Sequence, residues 1–390
     1  MHRFILIAAT LFLTAGMCSD EPNEPIVIPI DKPDTPDEPE KPEDNPGTTI
    51  EAPAFATGAD ISWVSEMEND GKKFKLADGT NADIYIVLKE TGVNAIRLRV
   101  WVNPYNGWSG KDDMVALAKR ATEAGLPVMV DFHYSDFFTD PSRQGIPEAW
   151  KGDSGDIDKM AKHVGDFTTE VLNALKAKDV SPVWVQIGNE TRNGMLWPTG
   201  QLWNSSGNIS GGYANFTKLY MAGYNAVKAI FPKALVMPHL NNAYDDNAWW
   251  FTAMQNEGLK FDMIALSHYP QVIKDKTWEW GNETAATRVK ALGSKYGVKV
   301  MVSEIGVKAS DPTTGKTIIQ DFLTRVKALD CCAGVFYWEP EVYGGWRPAV
   351  YKDANAIKQY TGKSETWNSY DMGAFTASGK ASAILEPFKD

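Results

Sequence analysis

From residue 54 onward, eight apolar runs of strand length alternate with segments of helical period. The runs span 55–61, 94–101, 127–133, 183–190, 235–241, 261–269, 298–306 and 334–341. Between them lie amphipathic stretches, among them 114–124, 157–176, 213–230, 284–296 and 317–329. Small-residue turns lead into several runs, as at Gly92-Val93, Gly125-Leu126 and Gly297-Val298. Eight strands alternating with helices over about 335 residues predict an α/β fold, a (β/α)8 TIM barrel, as one catalytic domain at 54–390. A doubly wound open sheet competes. It would want a glycine-rich phosphate loop after an early strand, and no G-x-G-x-x-G occurs.

A barrel of this kind builds its active site at the carboxyl ends of its strands. Those ends offer Asp60; Arg97, Arg99 and Trp101; Asp131, His133 and Asp136; Asn189 and Glu190; His239 and Asn241; His268 and Tyr269; Glu304; and Trp338, Glu339 and Glu341. Two acids stand out. Glu190 closes the fourth run and Glu304 lies near the end of the seventh, each after a series of β-formers. A carboxylate beside buried surface is costly unless it is solvated, paired or used. Strands four and seven lie on roughly opposite sides of an eight-strand barrel, so the two acids can face each other across its mouth. Glycoside hydrolysis needs such a pair: one group protonates the leaving oxygen, and the other attacks the anomeric carbon or activates water. Magnesium-assisted enolisation would need three carboxylates at successive strand ends. That set is absent, and no metal is expected.

The neighbours of the two acids suit sugar chemistry. Asn189 is placed to bond a sugar 2-hydroxyl. Arg97 and Arg99 share a strand face; one of them, Arg97 by preference, holds Glu304 ionised. Glu304 is then expected to have a lowered pKa and Glu190 a raised one. Asp60 either touches substrate or orients Arg97. Trp338, Trp197, Trp101 and Trp346 offer flat faces for pyranose rings, whereas Trp249, Trp250, Trp278 and Trp280 read as packing. His133, His239 and His268 each admit a core reading beside a functional one.

Six blocks carry a family resemblance. Gly58-Ala59-Asp60-Ile61-Ser62-Trp63, Arg97-Leu98-Arg99-Val100-Trp101-Val102-Asn103-Pro104 and Asp131-Phe132-His133-Tyr134-Ser135-Asp136 come first. Ile187-Gly188-Asn189-Glu190, Asn193-Gly194-Met195-Leu196-Trp197-Pro198 and Gly334-Val335-Phe336-Tyr337-Trp338-Glu339-Pro340 follow in the same order. Together they resemble the arabinogalactan endo-β-1,4-galactanases of glycoside hydrolase family 53, from about residue 54 to residue 386. The resemblance implies a (β/α)8 barrel and a retaining reaction. It makes Glu190 the acid/base, Glu304 the nucleophile, and galactan or galacto-oligosaccharides the substrate. Bacterial members carry a calcium loop after strand seven. Here only a short segment through Asp311 and Thr314 follows Glu304, so no cofactor is expected. A related endo-glycanase acting on mannan or xylan, or a non-catalytic glycan-binding lipoprotein, are the alternatives.

The amino terminus differs in kind. His2 and Arg3, an apolar run at 4–13 and small residues before Cys18 read as a lipoprotein-type signal peptide at 1–18. Cys18 is the expected lipid anchor, and Ser19-Asp20-Glu21 resembles the surface-export signal of Bacteroidetes lipoproteins. Residues 19–51 hold 11 Asp or Glu against two Lys, and eight of the 22 prolines. That composition predicts an extended, disordered spacer at 19–53. Of the net charge of −11, −9 belongs to this stretch. The rest carries no basic stripe, which argues against nucleic acid. The expected product is an exported monomer on the outer-membrane surface, or otherwise a periplasmic or secreted one, meeting membrane only through its anchor. Cys331 and Cys332 are adjacent and unsuited to a mutual bridge.

Overall fold

A computed structural model describes residues 48–366 and 371–389. The signal segment with Cys18, and the spacer up to residue 47, lie outside the described residues.

The central sheet comprises β1 (Ala56–Asp60), β2 (Ala95–Val100), β3 (Val128–Phe132), β4 (Trp184–Ile187), β5 (Leu235–Met237), β6 (His239–Leu240), β7 (Met263–His268), β8 (Lys299–Ile305) and β9 (Cys332–Trp338). Its order is β5-β4-β3-β2-β1-β9-β8-β7-β6, with every pairing parallel. β5 and β6 are the two halves of one barrel strand, the predicted fifth run. Pro238 divides them because it has no N–H to give the ladder. Its carbonyl still accepts from the Ala265 N–H at 3.0 Å, which joins the two ends of the sheet. The result is the (β/α)8 TIM barrel.

Both faces of each strand are buried, so the alternation is between two kinds of interior. Ile96, Leu98 and Val100 point out from β2 into the core shared with the helices, while Ala95, Arg97 and Arg99 point in. Ala56, Ala95, Met129, Trp184, Met237, Met263, Ala265, Met301 and Phe336 form a separate apolar cluster that fills the barrel floor. Two residues further along their strands come Arg97, Asp131, Gln186, His239, Ser267 and Ser303, and four beyond Ala56 comes Asp60, all buried. The inward face thus turns from apolar to polar in one step. Gly58 is required here: a Cβ on it would lie 2.1 Å from Cδ1 of Phe336.

The helices that alternate with these strands are, in chain order, α1 (Val64–Asn69), α2 (Ile84–Glu90), α3 (Lys111–Glu123), α4 (Ile157–Lys176), α5 (Gly212–Ile230), α6 (Ala248–Asn256), α7 (Trp278–Tyr296) and α8 (Pro312–Lys327), and two short ones, Ala349–Lys352 and Ala354–Thr361, come after the last strand. Asp156 caps α4 by accepting from the N–H groups of Asp158 and Lys159. One side of that helix buries Met160, Val164, Phe167, Val171 and Leu175. α7 begins six residues before the expected position 284, because Thr277 accepts the Trp280 N–H and starts the helix there. Thr48–Thr49, inside the stretch expected as spacer, pairs with Val180–Ser181 just before β4. The chain therefore joins the barrel at its floor. Among the described residues, no helix is long and apolar enough to cross a membrane.

Candidate active site

At the carboxyl ends of the strands lies a cavity of about 240 Å³. Asp60, Arg97, Arg99, His133, Asn189, Glu190, Tyr269, Glu304 and Trp338 line it, together with Phe138, Thr139, Asp140, Val272 and Met372. A larger groove, about 390 Å³, runs along the barrel flank between α3 and α4 and shares no residue with it.

Arg97 is the hub. Its Nη1 donates to Asp60 Oδ2 at 2.6 Å and its Nε to Gln186 Oε1 at 2.6 Å. Nη2 reaches Asp131 Oδ2 and Glu304 Oε1, both at 2.9 Å, and Asn189 Oδ1 at 3.1 Å. Arg99 turns elsewhere, to Glu339 Oε1 at 2.8 Å, between the rings of Trp63, Trp101 and Phe138. Of the two arginines considered for Glu304, Arg97 is the one in contact. Asp60 orients it.

Glu304 also accepts from Tyr269 Oη at 2.6 Å, with Ser267 Oγ 3.3 Å away. Burial nonetheless pushes its carboxyl above the ordinary range, and Arg97 and the Tyr269 hydroxyl pull back only in part. The lowered value expected from the nearby cation is therefore not found. One guanidinium is divided among three buried carboxylates, Asp60, Asp131 and Glu304.

Glu190 lies three residues past the end of β4 with φ of 49°, in the left-handed region that costs a non-glycine residue energy. Its carboxyl is pushed up to about 8, first by burial and then by the charge of Glu304. The two groups titrate as a pair. Glu304 has the stronger donors and gives up its proton first; Glu190 keeps its own.

The supporting network fixes the tautomers. Asn189 spends Nδ2 on the Thr139 carbonyl at 2.7 Å, leaving Oδ1 to accept from Arg97 and from His239 Nδ1 at 2.9 Å. His239 Nε2 then accepts from Ser267 Oγ at 2.8 Å. Burial holds His239 well below its ordinary pKa, and thus neutral. His133 accepts the Thr139 N–H on Nδ1 at 3.0 Å and faces Asp131 through Nε2 at 2.9 Å.

Glu190, His239 and Glu304 each bring one potential ligand atom within 4.8 Å of the others. Both nitrogens of His239 are already bonded, so the trio fits a hydrogen-bonded acid pair better than an ion cage. After Glu304, where a calcium loop would fall, Asp311 accepts the Thr314 N–H and caps α8.

Several residues named from the sequence lie off the cavity lining, Asp131, His239, Glu339 and Glu341 among them. His268 points outward, its Nε2 donating to Asn282 Oδ1 at 2.9 Å and its ring packing on Phe322. The strand period decides this, because the inward position belongs to Ser267. Trp101 is buried over Arg99, and Trp346 donates to Asp70 Oδ2 at 2.8 Å while packing on Trp63. Trp197 donates to the Asn193 carbonyl at 2.8 Å. Asp136 joins two loops by accepting the Asn103 and Glu148 N–H groups. Asn241 Oδ1 is buried without a partner. Gln186, Ser267 and Thr139 were not singled out; strand parity points to the first two, and nothing in the sequence points to Thr139 or Met372.

The sequence pattern of glycosyl hydrolase family 53 matches residues 56–387. The chain belongs to glycosyl hydrolase family 53. Among family relatives, the arabinogalactan endo-β-1,4-galactanase of Thermothelomyces thermophilus is 32% identical over 307 residues, covering 73% of this chain and 88% of that protein. The endo-β-1,4-galactanase of Bacillus subtilis (strain 168) is 30% identical, over 82% of this chain and 75% of that one. A solved fungal β-1,4-galactanase superposes with a TM-score of 0.69 at 30% identity, over 85% of this chain and 98% of its own. The family 53 catalytic domain of Ignisphaera aggregans gives a TM-score of 0.71 at 27% identity, over 87% and 98%.

Proposed function

We propose that this family 53 hydrolase is a retaining endo-β-1,4-galactanase acting on galactan and type I arabinogalactan. One observation carries the chemistry: two carboxyl groups reach within 4.8 Å of each other, one proton-holding and one bound by Arg97 and Tyr269. That spacing suits a retaining site, since an inverting pair stands roughly 6.5–9.5 Å apart to admit water. The galactan assignment is supported by the names of the relatives.

In the first step Glu190 gives its proton to the glycosidic oxygen as the bond to the anomeric carbon breaks. The Glu304 carboxylate forms the new bond to that carbon. Glu304 is then an ester without charge, and the repulsion that raised Glu190 disappears. Glu190 becomes the stronger acid and, now ionised, is suited to act as base. It takes a proton from the water that attacks the anomeric carbon and releases Glu304. No step calls on a metal or other cofactor. Residues 1–18 and the acidic stretch after them support export and anchoring through Cys18.

Incubation with galactan, arabinogalactan, mannan and xylan, followed by an assay for new reducing ends, tests the substrate. Galactan should be cleaved; new ends from mannan or xylan alone would overturn the reading. Glu190→Gln and Glu304→Gln should each remove most hydrolysis, and proton NMR should show the β-anomer first.

A further inference from the structure

Among the described residues, four large apolar side chains stand exposed, and three of them belong to segments that follow barrel strands. Val272 (63% exposed), Trp249 (42%) and Trp280 (38%) lie on the turn after β7 and the first turns of α6 and α7. Ile86, the fourth, is on α2. Helices here begin where strands end, so this apolar surface is on the catalytic face. Trp249 and Trp280, which read as packing in the sequence, are open to solvent, while the adjacent Trp250 is buried.

Each exposed tryptophan has an aromatic partner. Trp249 meets Trp203 at 6.0 Å between centroids, and Trp280 meets Tyr244 at 6.1 Å, with Lys276 Nζ 4.9 Å from the Trp280 ring. Both pairs are tied to the loop that carries Glu190. The Trp203 carbonyl accepts from Asn193 Nδ2 at 3.1 Å, and Asp245, next to Tyr244, pairs with Arg192. The ridge is also continuous with the cavity. Gly281, beside Trp280, packs on Pro270 and Ile273, which flank Val272 in the cavity wall.

The occupant follows from the chemistry. Glu190 hands its proton to the departing oxygen, so the departing chain lies on the Glu190 side. At about 240 Å³ the cavity is below the usual range for ligand sites, so a polymer must run out across the rim. Sugar rings carry apolar faces that suit aromatic side chains, and a patch of exposed rings marks a binding surface.

We infer that the ridge of Trp203, Trp249, Tyr244 and Trp280 binds the leaving-group side of the β-linked galactose chain, on sugars beyond the one next to the cleaved bond. This rests on the hydrolase reading above.

The test compares Trp249→Ala and Trp280→Ala with the unaltered protein on linear β-1,4-galactan and on a nitrophenyl β-galactobioside, whose leaving group is too short to reach the ridge. KM on the polymer should rise roughly two- to tenfold, the range of one lost aromatic contact, with kcat/KM on the short substrate unchanged. In a Glu190→Gln background, both changes should also reduce retardation in gels containing galactan. Unchanged polymer KM and unchanged retardation would overturn the ridge, as would an equal loss on both substrates. If nothing is hydrolysed, the hydrolase reading fails on its own. Retardation then still decides, because retention that does not depend on the tryptophans, or no retention at all, removes the ridge.

Discussion

Arg97 Nη2 lies 2.9 Å from Glu304 Oε1, and the same nitrogen is shared with Asp131 and Asn189. This contact joins β2 to β8, the second barrel strand to the seventh, and sets the charge of the site. Glu304 is ionised against the pull of burial because a guanidinium that cannot lose its proton faces it.

Replacing Arg97 by Met leaves Asp60, Asp131 and Glu304 buried without a counter-charge. Breaking a buried ion pair in this way costs about 3–5 kcal/mol, so thermal melting should fall by on the order of 10 °C. Galactan hydrolysis should drop by roughly 10²-fold or more, as when a preorganised donor is lost. Arg97→Lys should recover part of the stability and little of the rate, since a single ammonium cannot reproduce the fork.

The rate should follow a bell-shaped curve in pH. The reacting enzyme holds a proton on Glu190 and none on Glu304. As pH rises through about 8, Glu190 loses that proton and kcat/KM declines. On the acid side Glu304 gains one, and because burial raises it too, this limb begins above the ordinary carboxylate range. Initial rates of reducing-end release across pH 4 to 10 provide the check. An alkaline limb below about pH 6 would contradict the desolvated acid.

Stability has its own pH dependence. Burial raises Glu66 to about 7 and Glu339 to about 8, and Glu341 is also held well above the usual range. Each binds its proton more tightly in the fold than in the unfolded chain. Their contribution is complete below the unfolded carboxylate pKa, and it is lost as pH rises through the folded values. Asp131, lowered to about 2 and bonded to Arg97, behaves oppositely and favours the fold above the unfolded pKa. Thermal melting should therefore be highest on the acidic side, near the unfolded carboxylate pKa, and decline between about pH 5 and 8. A midpoint still rising across that interval would refute the assignment.

Gly58→Ala places a methyl group into the ring of Phe336. Overpacking of this kind costs about 1–3 kcal/mol, and the rigid barrel interior favours the upper end. Phe336→Leu should relieve it, so a double-mutant cycle on urea midpoints should show a favourable coupling between the two changes.

The barrel was legible because most of its strands read as mainly apolar runs that admit polar residues only toward their carboxyl ends, the mark of a strand buried on both faces. The division at Pro238 lay inside one such run and was visible only as a proline. α2 and α6, of seven and nine residues, are too short to show a clear period. The acid pair was legible from its place at strand ends. The directions of the smaller side chains were less so: His268 and Ser267 are neighbours, and only the pairing register decides which one enters the barrel. Glu304 ran against expectation, because the sequence shows a cation nearby but not how many acids it serves. Trp249 and Trp280 were misread since exposure depends on what other segments leave uncovered.

The methionine-rich floor closes the barrel beneath the acids, with Met129, Met237, Met263, Met301, Trp184 and Phe336 filling its width. Entrance and exit are then the same opening. A long chain has no tunnel to thread, so it must drape over the mouth, and a strand laid sideways presents a bond in its middle as readily as one near its end.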